Sequence, residues 1–145
     1  MDGVSLTPLK KISNPKGDIF HVMKKSDEGF DAFGEAYFST INCNEVKGWK
    51  KHARMTLNLV VPVGEIQFII YDERLNSLTQ GKFFKVLLSV KNNYQRLTIA
   101  PGLWVGFKGV GKETNILLNI ASIEHDSSEA ENRPLDSFYF DWGLL

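Results

Sequence analysis

Residues 54–72 read Arg-Met-Thr-Leu-Asn-Leu-Val-Val-Pro-Val-Gly-Glu-Ile-Gln-Phe-Ile-Ile-Tyr-Asp. The stretch contains two short runs rich in Val, Ile, Leu and aromatic residues, which we predict to form strands over Arg54–Val61 and Glu65–Asp72. Pro62-Val-Gly64 separates them, and proline followed closely by glycine is typical of a turn. We therefore expect a hairpin that joins two of the strongest strands of the chain.

The same alternation of short apolar runs and turn residues extends in both directions from this stretch. No long segment shows the 3.6-residue period of an amphipathic helix, and only Ser26–Phe33 and Ser127–Asn132 fit one helical turn each. We therefore predict an all-β chain, a jelly roll or small β-barrel of about eight to ten short strands in a single domain over residues 1–145. The further strands are expected near Asp18–Met23, Gly34–Ile41, Phe83–Leu88, Gln95–Ile99, Trp104–Lys108 and Asn115–Ser122.

The composition argues against several classes of partner. The 17 Lys and Arg balance the 17 Asp and Glu, so no overall field attracts nucleic acid or an anionic membrane. The longest apolar runs, Leu59–Val63 and Phe68–Tyr71, are far shorter than a membrane span. The single cysteine, Cys43, excludes an internal disulfide and a cysteine-based zinc site. With no signal peptide at the N-terminus, these features predict a cytoplasmic protein.

The basic stretch Lys47-Gly-Trp-Lys-Lys-His-Ala-Arg54 is the main candidate for chemistry. Its charged side chains cannot be buried unpaired, so they point either to water, as on a solvated edge strand, or into a polar hollow that holds an anion. Histidine exchanges protons near neutral pH, which makes His52 a candidate base. Strand alternation places Lys50 and Arg54 on the face of His52 and turns Lys51 away. We therefore expect His52 and Lys50 to be catalytic and Arg54 to bind substrate.

Three further residues are candidate substrate contacts. Asp72 and Arg74 are two positions apart, so on a strand they share a face, where they either pair with each other or hold neighbouring loops; both are also candidate substrate contacts. Trp104 is either a core residue or an aromatic wall for a base or sugar ring. A metal is not expected, because the three histidines of the chain are widely spaced: His21, His52 and His125.

Several segments, taken in order, resemble the dTDP-4-dehydrorhamnose 3,5-epimerase family. Gly64–Arg74 followed by Ser-x-Thr-x-Gly resembles the family's G-E-strand-D-x-R-x-x-S-x-T-x-G pattern, and Ile99–Phe107 resembles its I-P-x-G-x-x-x-G-F segment. Asn14–Asp18 resembles the early turn before its first strand, and Phe33–Ser39 resembles a shorter subgroup of the superfamily. The resemblance covers the chain from about residue 6 to residue 142.

The resemblance implies a cupin-like jelly roll, usually a homodimer, that works without a metal or cofactor. Its expected substrate is a nucleotide-diphosphate sugar, a 4-keto-6-deoxy hexose used in making cell-surface polysaccharide precursors. The implied reaction is epimerisation or isomerisation that begins with proton removal beside the keto group. His52 falls at the position of the family's base.

The chain departs from the family pattern at two catalytic positions. No tyrosine lies near Leu118, where the family has its acid, and Arg133 stands where the family has the aspartate that orients the base. The alternative acids are Tyr37, Tyr139 and water, the last of which would give epimerisation at one centre, and Tyr37 is also a candidate substrate contact. These departures keep a second interpretation open, a non-catalytic cupin that binds nucleotide sugars or other carbohydrates.

Overall fold

The structure is a computed structural model and describes residues 1–143. Within these residues the chain is almost entirely β, which confirms the predicted fold class. The strands are β1 (Val4–Pro8), β2 (Lys11–Ile12), β3 (Ile19–Phe20), β4 (Glu35–Ile41), β5 (Val46–His52), β6 (Leu57–Val63), β7 (Glu65–Tyr71), β8 (Phe83–Ser89), β9 (Gln95–Ile99), β10 (Trp104–Gly109), β11 (Asn115–Ala121) and β12 (Ala130–Asn132).

Two five-stranded antiparallel sheets face each other, as in a jelly roll. The first sheet has the strand order β1-β9-β6-β11-β4, and the second has the order β12-β5-β10-β7-β8. Strands β2 and β3 form a separate two-stranded ribbon. The twelve described strands exceed the predicted eight to ten because the apolar sequence patterns do not reveal β5 or the short strands β1, β2 and β12.

The core lies between the inner faces of the two sheets. Leu59 and Val61 of the first sheet belong to the same apolar cluster as Phe68 and Ile70 of the second, and each is at most 3% exposed. Burying such side chains supplies about 1.5–3 kcal/mol each relative to leaving them in water. Toward one end of the sandwich this packing gives way to a partly polar cavity.

The outer face of the second sheet is covered by the C-terminal segment, residues 133–143. Phe138, Phe140 and Trp142 of this segment pack against a second buried cluster that contains Trp49 and Trp104. The covering segment approaches the sheet closely over Gly106, where a Cβ atom would lie 2.8 Å from the Trp142 ring. Because Trp49 packs into this outer layer, the neighbouring residues of β5 face the inside of the sandwich.

The predicted hairpin at Pro62–Gly64 is wrong. Strand β6 pairs with β9 and β11, whereas β7 pairs with β8 and β10, so the chain passes from one sheet to the other at this point. Gly64 has a positive φ of 78°, and the next amide, of Glu65, donates to the side chain of Asn115 at 2.9 Å. Both strands lie inside their sheets, which explains why both are apolar almost throughout.

The two predicted helical turns have different outcomes. Ser127–Glu129 forms a short 3-10 helix whose N-cap is Asp126, inside the predicted range. Residues 26–33 form turns and extended chain instead. A second 3-10 helix, Leu135–Ser137, follows Pro134. Within residues 1–143, no helix has the length and apolar character needed to cross a membrane.

Candidate active site

The cavity between the sheets opens to solvent. Its apolar wall comes from both sheets and consists of Leu57, Leu59, Val105, Phe107 and Leu117. Its polar groups fall into two sets on opposite sheets. Lys50 and His52 project from β5 of the second sheet, and Tyr37, Ser39 and Asn119 project from β4 and β11 of the first. A mostly apolar cavity with a few convergent polar groups is typical of a small-molecule site.

Strand alternation explains why β5 directs His52 and Lys50 into the cavity. Trp49 lies on the opposite face, 1% exposed within the outer aromatic layer. Lys51 also faces outward, where its Nζ is 2.8 Å from Glu131 and 4.6 Å from the centre of the Trp104 ring. The strand therefore separates its two adjacent lysines, one into the cavity and one onto the outer face.

The buried imidazole of His52 is hydrogen-bonded through Nδ1 to the carboxylate of Glu129. His52 is 8% exposed and Glu129 is 6% exposed. The second oxygen of Glu129 accepts hydrogen bonds from the backbone amides of Arg54 at 3.0 Å and Met55 at 3.3 Å. These contacts fix the carboxylate, and the carboxylate in turn fixes the plane of the imidazole ring.

Glu129 holds its charge despite its burial. Burial raises the pKa of Glu129, but the hydrogen bonds from His52 and from the two backbone amides outweigh it and leave the pKa below its ordinary value. An ionised carboxylate only accepts hydrogen bonds, so the proton in the contact belongs to Nδ1 of His52. The Nε2 atom of His52 is not part of this contact.

The 3-10 helix and β12 bring Glu129 to this position. Ser128 donates its backbone N–H to Asp126 at 2.9 Å, which caps the helix that contains Glu129. The next residue, Ala130, is the register partner of His52 in the pairing of β12 with β5. Pairing of these two strands therefore sets the side chain of Glu129 beside the imidazole.

Tyr37 and Asn119 form the polar part of the opposite wall. They are register partners on β4 and β11, so their side chains share the cavity face. The Asn119 Nδ2 atom donates to the Tyr37 hydroxyl oxygen at 3.0 Å. Because that oxygen acts as an acceptor here, the Tyr37 hydroxyl keeps its own proton available for donation into the cavity.

The geometry thus places a carboxylate-oriented imidazole and a phenol on facing sheets, and a lysine from the strand of the imidazole lines the same cavity. A dTDP sugar isomerase from Desulfovibrio desulfuricans G20 shares this fold with a TM-score of 0.91 and 36% sequence identity, over 94% of this chain and 87% of that chain. The chain belongs to the dTDP-sugar isomerase and epimerase family. The motif resemblance is therefore confirmed, and with it the prediction of a nucleotide-sugar epimerase or isomerase at the level of the family. No protein-family model matches the chain.

Two curated relatives of the family have similar lengths. The probable low-salt glycan biosynthesis epimerase Agl13 of Haloferax volcanii is 26% identical over 137 residues, which are 92% of this chain and 87% of that protein. The spore coat polysaccharide biosynthesis protein SpsL of Bacillus subtilis is 25% identical over 146 residues, which cover 98% of this chain and 96% of that protein. Both names refer to the synthesis of polysaccharides or glycans.

A more distant structure extends the likeness in fold. The dTDP-4-dehydrorhamnose 3,5-epimerase from Sulfolobus tokodaii has a TM-score of 0.86 and 23% identity, and the match covers 99% of this chain. At this identity the comparison shows that the two proteins share the cupin-like fold.

Arg54, predicted to bind substrate, does not line the cavity. Strand β5 ends at His52, so the alternation that predicted a shared face does not continue to Arg54. Its guanidinium is largely exposed and lies 2.8 Å from Asp126. Its backbone amide, rather than its side chain, contacts Glu129, the hydrogen-bond partner of His52.

Asp72 and Arg74, two other predicted substrate contacts, pair with each other outside the cavity lining. Asp72 is fully buried and accepts hydrogen bonds from Arg74 at 2.8 Å, Ser77 at 2.6 Å and Thr79 at 2.7 Å. Arg74 also donates to the backbone of Asp2 at 2.8 Å. This conspicuous family motif therefore stabilises the loop after β7 and attaches the N-terminus to it.

Trp104 also lies outside the cavity lining. It is fully buried in the outer aromatic layer, where its Nε1 donates to Glu73 at 2.9 Å. Arg133 lies over its ring, 4.4 Å from the centre, and donates to the same carboxylate. The aromatic wall expected of Trp104 is instead supplied by Phe107, which faces inward three positions later on β10.

The two tyrosines considered as acids lie in different surroundings. Tyr37 lies in the cavity, whereas Tyr139 is 96% exposed on the C-terminal segment. Glu129 and Asn119 were missed by the sequence reasoning. The only sequence signal near Glu129 is the predicted helical turn that contains it. Nothing in that turn predicts a contact with His52, 77 residues earlier. Among residues 1–143, no three His, Cys, Asp or Glu side chains cluster as metal ligands.

Proposed function

We propose that the protein epimerises a nucleotide-diphosphate-linked 4-keto-6-deoxy hexose by removing a proton beside the keto group. The pathway we propose is the synthesis of cell-surface polysaccharide precursors, as the names of the curated relatives suggest. The observation that carries the proposal is the placement of His52 and Tyr37 on facing sheets of one cavity. A base on one side of a sugar ring and an acid on the other are what inversion of a carbon centre requires.

His52 is the proposed base. Its Nε2 atom takes the proton from the carbon beside the ketone, and the resulting imidazolium is stabilised by the ionised Glu129 at Nδ1. The electron pair of the broken C–H bond forms a double bond to the carbonyl carbon, and the π electrons of the carbonyl move to the keto oxygen, which becomes the enolate oxygen. A positioned general base of this kind contributes about 10²–10⁴-fold to the rate.

Lys50 is the proposed partner of the enolate oxygen. It projects from the same strand and into the same cavity as His52. Its ammonium group supplies positive charge where negative charge develops, and the apolar walls limit competition from water. Removal of one preorganised donor to such an oxyanion typically costs about 10²–10³-fold in rate.

Tyr37 is the proposed acid. It donates its hydroxyl proton to the enolate carbon from the first sheet, opposite the face from which His52 removed the original proton. Asn119 stabilises the phenolate left behind, since its Nδ2 already donates to that oxygen. Exchange with water then returns a proton to Tyr37 and removes one from His52. Tyr37 is 44% exposed, which gives it contact with water.

A second hollow that adjoins the cavity fits the diphosphate. It shares Lys50, Val105 and Phe107 with the cavity and adds Lys47 and Asn132. Two lysines and an amide offer donors to phosphate oxygens. We propose that the sugar lies between the sheets and that the nucleotide extends through this hollow. The homodimer, the single domain and the cytoplasmic location expected above also remain proposals.

The test is incubation with dTDP-4-keto-6-deoxyglucose in D₂O, followed by NMR. We expect deuterium at a carbon beside the keto group and an epimerised product, with both lost in His52→Asn. His125→Asn is the matched control, because His125 is exposed and outside the cavity lining. Binding without deuterium incorporation would favour the non-catalytic alternative. Movement of the keto group along the ring would instead identify a ketoisomerase.

A further inference from the structure

Asn119 has an unused hydrogen-bonding atom in the wall of the cavity. The residue is 2% exposed, and its Nδ2 donates to Tyr37. Its Oδ1 has no hydrogen-bond partner within the part of the chain that the structure describes. Buried polar groups in native proteins are nearly always satisfied, so an orphaned amide oxygen beside a cavity indicates that a ligand supplies the missing donor.

The neighbours of Asn119 on the inner face do not supply that donor. Leu117 precedes it by two positions on β11, and Ala121 follows it by two. Its register partner on the other side, in β6, is Leu59. These three side chains are apolar and buried, so they hold Asn119 in place without competing for its oxygen.

We propose that Asn119 is a specificity-determining residue whose Oδ1 accepts a hydrogen bond from a hydroxyl of the sugar ring. This inference rests on the proposed function and makes it more specific. Because the same amide holds the Tyr37 hydroxyl, we place the bound hydroxyl on the carbon that Tyr37 protonates. Of the two carbons beside a C4 ketone in a 6-deoxy hexose, C3 bears a hydroxyl and C5 bears a methyl group. The substrate class is therefore a 3-hydroxy-4-keto sugar, and the reacting carbon is C3.

The hydroxyl is needed for recognition and not for the chemistry itself. A 3-deoxy analogue still has protons at C3 beside the ketone, so deuterium exchange at that carbon remains measurable. It lacks the donor for Asn119, and a site built to bind a substrate hydroxyl rejects the analogue without it. We expect the wild-type protein to prefer the 3-hydroxy sugar by ~10²-fold or more in kcat/KM for exchange.

The experiment compares dTDP-4-keto-6-deoxyglucose with its 3-deoxy analogue in the wild-type protein and in two variants of one residue. Asn119→Leu removes the acceptor. We expect the ratio of kcat/KM for the 3-hydroxy sugar to kcat/KM for the 3-deoxy analogue to fall to within about threefold of one. Asn119→Asp keeps an acceptor oxygen but loses the N–H that holds Tyr37. It should retain the preference while both rates fall. Dissociation constants for both sugars, measured by calorimetry, accompany the rates, and thermal melting checks the folding of each variant.

Two further variants separate the recognition of the hydroxyl from other effects. Tyr37→Phe slows protonation but leaves the Asn119 oxygen in place, so the preference should persist. Ser39→Ala changes another polar residue of the same wall and should also leave the preference intact. A wild-type protein without a preference, or an Asn119→Leu variant that keeps one, would overturn the inference.

The design also separates this inference from the proposed function. If the wild-type protein binds both sugars without exchange, the proposed reaction fails, and the ratio of the two dissociation constants still decides the role of Asn119. If exchange occurs with equal efficiency for both sugars, the role of Asn119 fails and the reaction stands. If neither sugar binds, both are overturned.

Discussion

His52 and Glu129 are 77 residues apart in the sequence, and their side chains form a buried hydrogen bond in the wall of the cavity. Pairing of β12 with β5 creates this contact, and the carboxylate fixes which imidazole nitrogen bears the proton. The position that carries an aspartate in the family pattern holds Arg133 here, and Glu129 supplies the orienting carboxylate from four residues earlier.

Glu129→Gln should reduce the rate of deuterium exchange by about 10²–10⁴-fold, because an amide neither fixes the tautomer of His52 nor balances the charge of the imidazolium. The measurement is the initial rate of incorporation by NMR. Glu131→Gln is the control, since that neighbouring side chain is exposed and pairs with Lys51 on the outer face. Equal losses in the two variants would mean that the effect comes from β12 as a whole.

Tyr37→Phe should uncouple exchange from inversion. His52 remains able to remove the proton and to return a deuteron to the same face, so deuterium still enters the substrate. Formation of the epimer should fall by about 10²-fold or more, because the other face has lost its acid. The two quantities come from one NMR time course. Tyr139→Phe, on an exposed ring, should alter neither; a normal epimerisation rate in Tyr37→Phe would remove the phenol from the mechanism.

Lys50→Met should reduce kcat by about 10²–10³-fold, since the enolate loses a preorganised cation while the length of the side chain is nearly kept. Lys51→Met provides a close control, because the adjacent lysine lies on the outer face beside Trp104. Steady-state kinetics of the two variants checks the assignment. A loss confined to KM would indicate that Lys50 binds the diphosphate and not the enolate.

Asp72→Asn should destabilise the fold by roughly 1–3 kcal/mol at neutral pH, the cost of leaving buried donors unsatisfied. The hydrogen bond from Arg74 lowers the pKa of Asp72; burial opposes this effect, and the hydroxyls of Ser77 and Thr79 add to the lowering. The folded pKa lies below the unfolded one, so this stabilisation is present above the usual aspartate range and is lost as the pH falls.

The difference between wild type and Asp72→Asn in the free energy of unfolding should therefore shrink as the pH is lowered below 4 or so. Urea titrations from neutral to acidic pH measure it. Asp136→Asn serves as the comparison, because that aspartate is exposed on the C-terminal segment. Constant destabilisation by Asp72→Asn at every pH would contradict a role for the carboxylate charge.

Local patterns predicted much of the fold. The limits of β9 agree with the prediction at both ends, because apolar alternation bounded by turn residues is visible in the sequence itself. The error at Pro62–Gly64 arose because a tight turn within one sheet and a crossing between two sheets have the same local composition. Which of the two forms depends on the pairing partners of β6 and β7, and these lie elsewhere in the chain.

Sequence alternation could place side chains in the cavity only where they lie on the same strand. His52 and Lys50 followed from alternation along β5, and the same reasoning failed at Arg54 because the strand ends between them. Glu129 and Asn119 act through partners on other strands, 77 and 82 residues away. No spacing within a single sequence encodes such a contact, so these two required the structure.

The aromatic layer behind β5 has a consequence for how substrate moves. Trp49 and the C-terminal rings close that side of the sandwich, so the base is embedded in a supported wall. Tyr37 belongs to β4, which lies at an open margin of the first sheet and leaves the phenol 44% exposed. We therefore expect the proposed sugar substrate to enter and leave past Tyr37, and bulky changes along that margin should slow turnover without disturbing the imidazole.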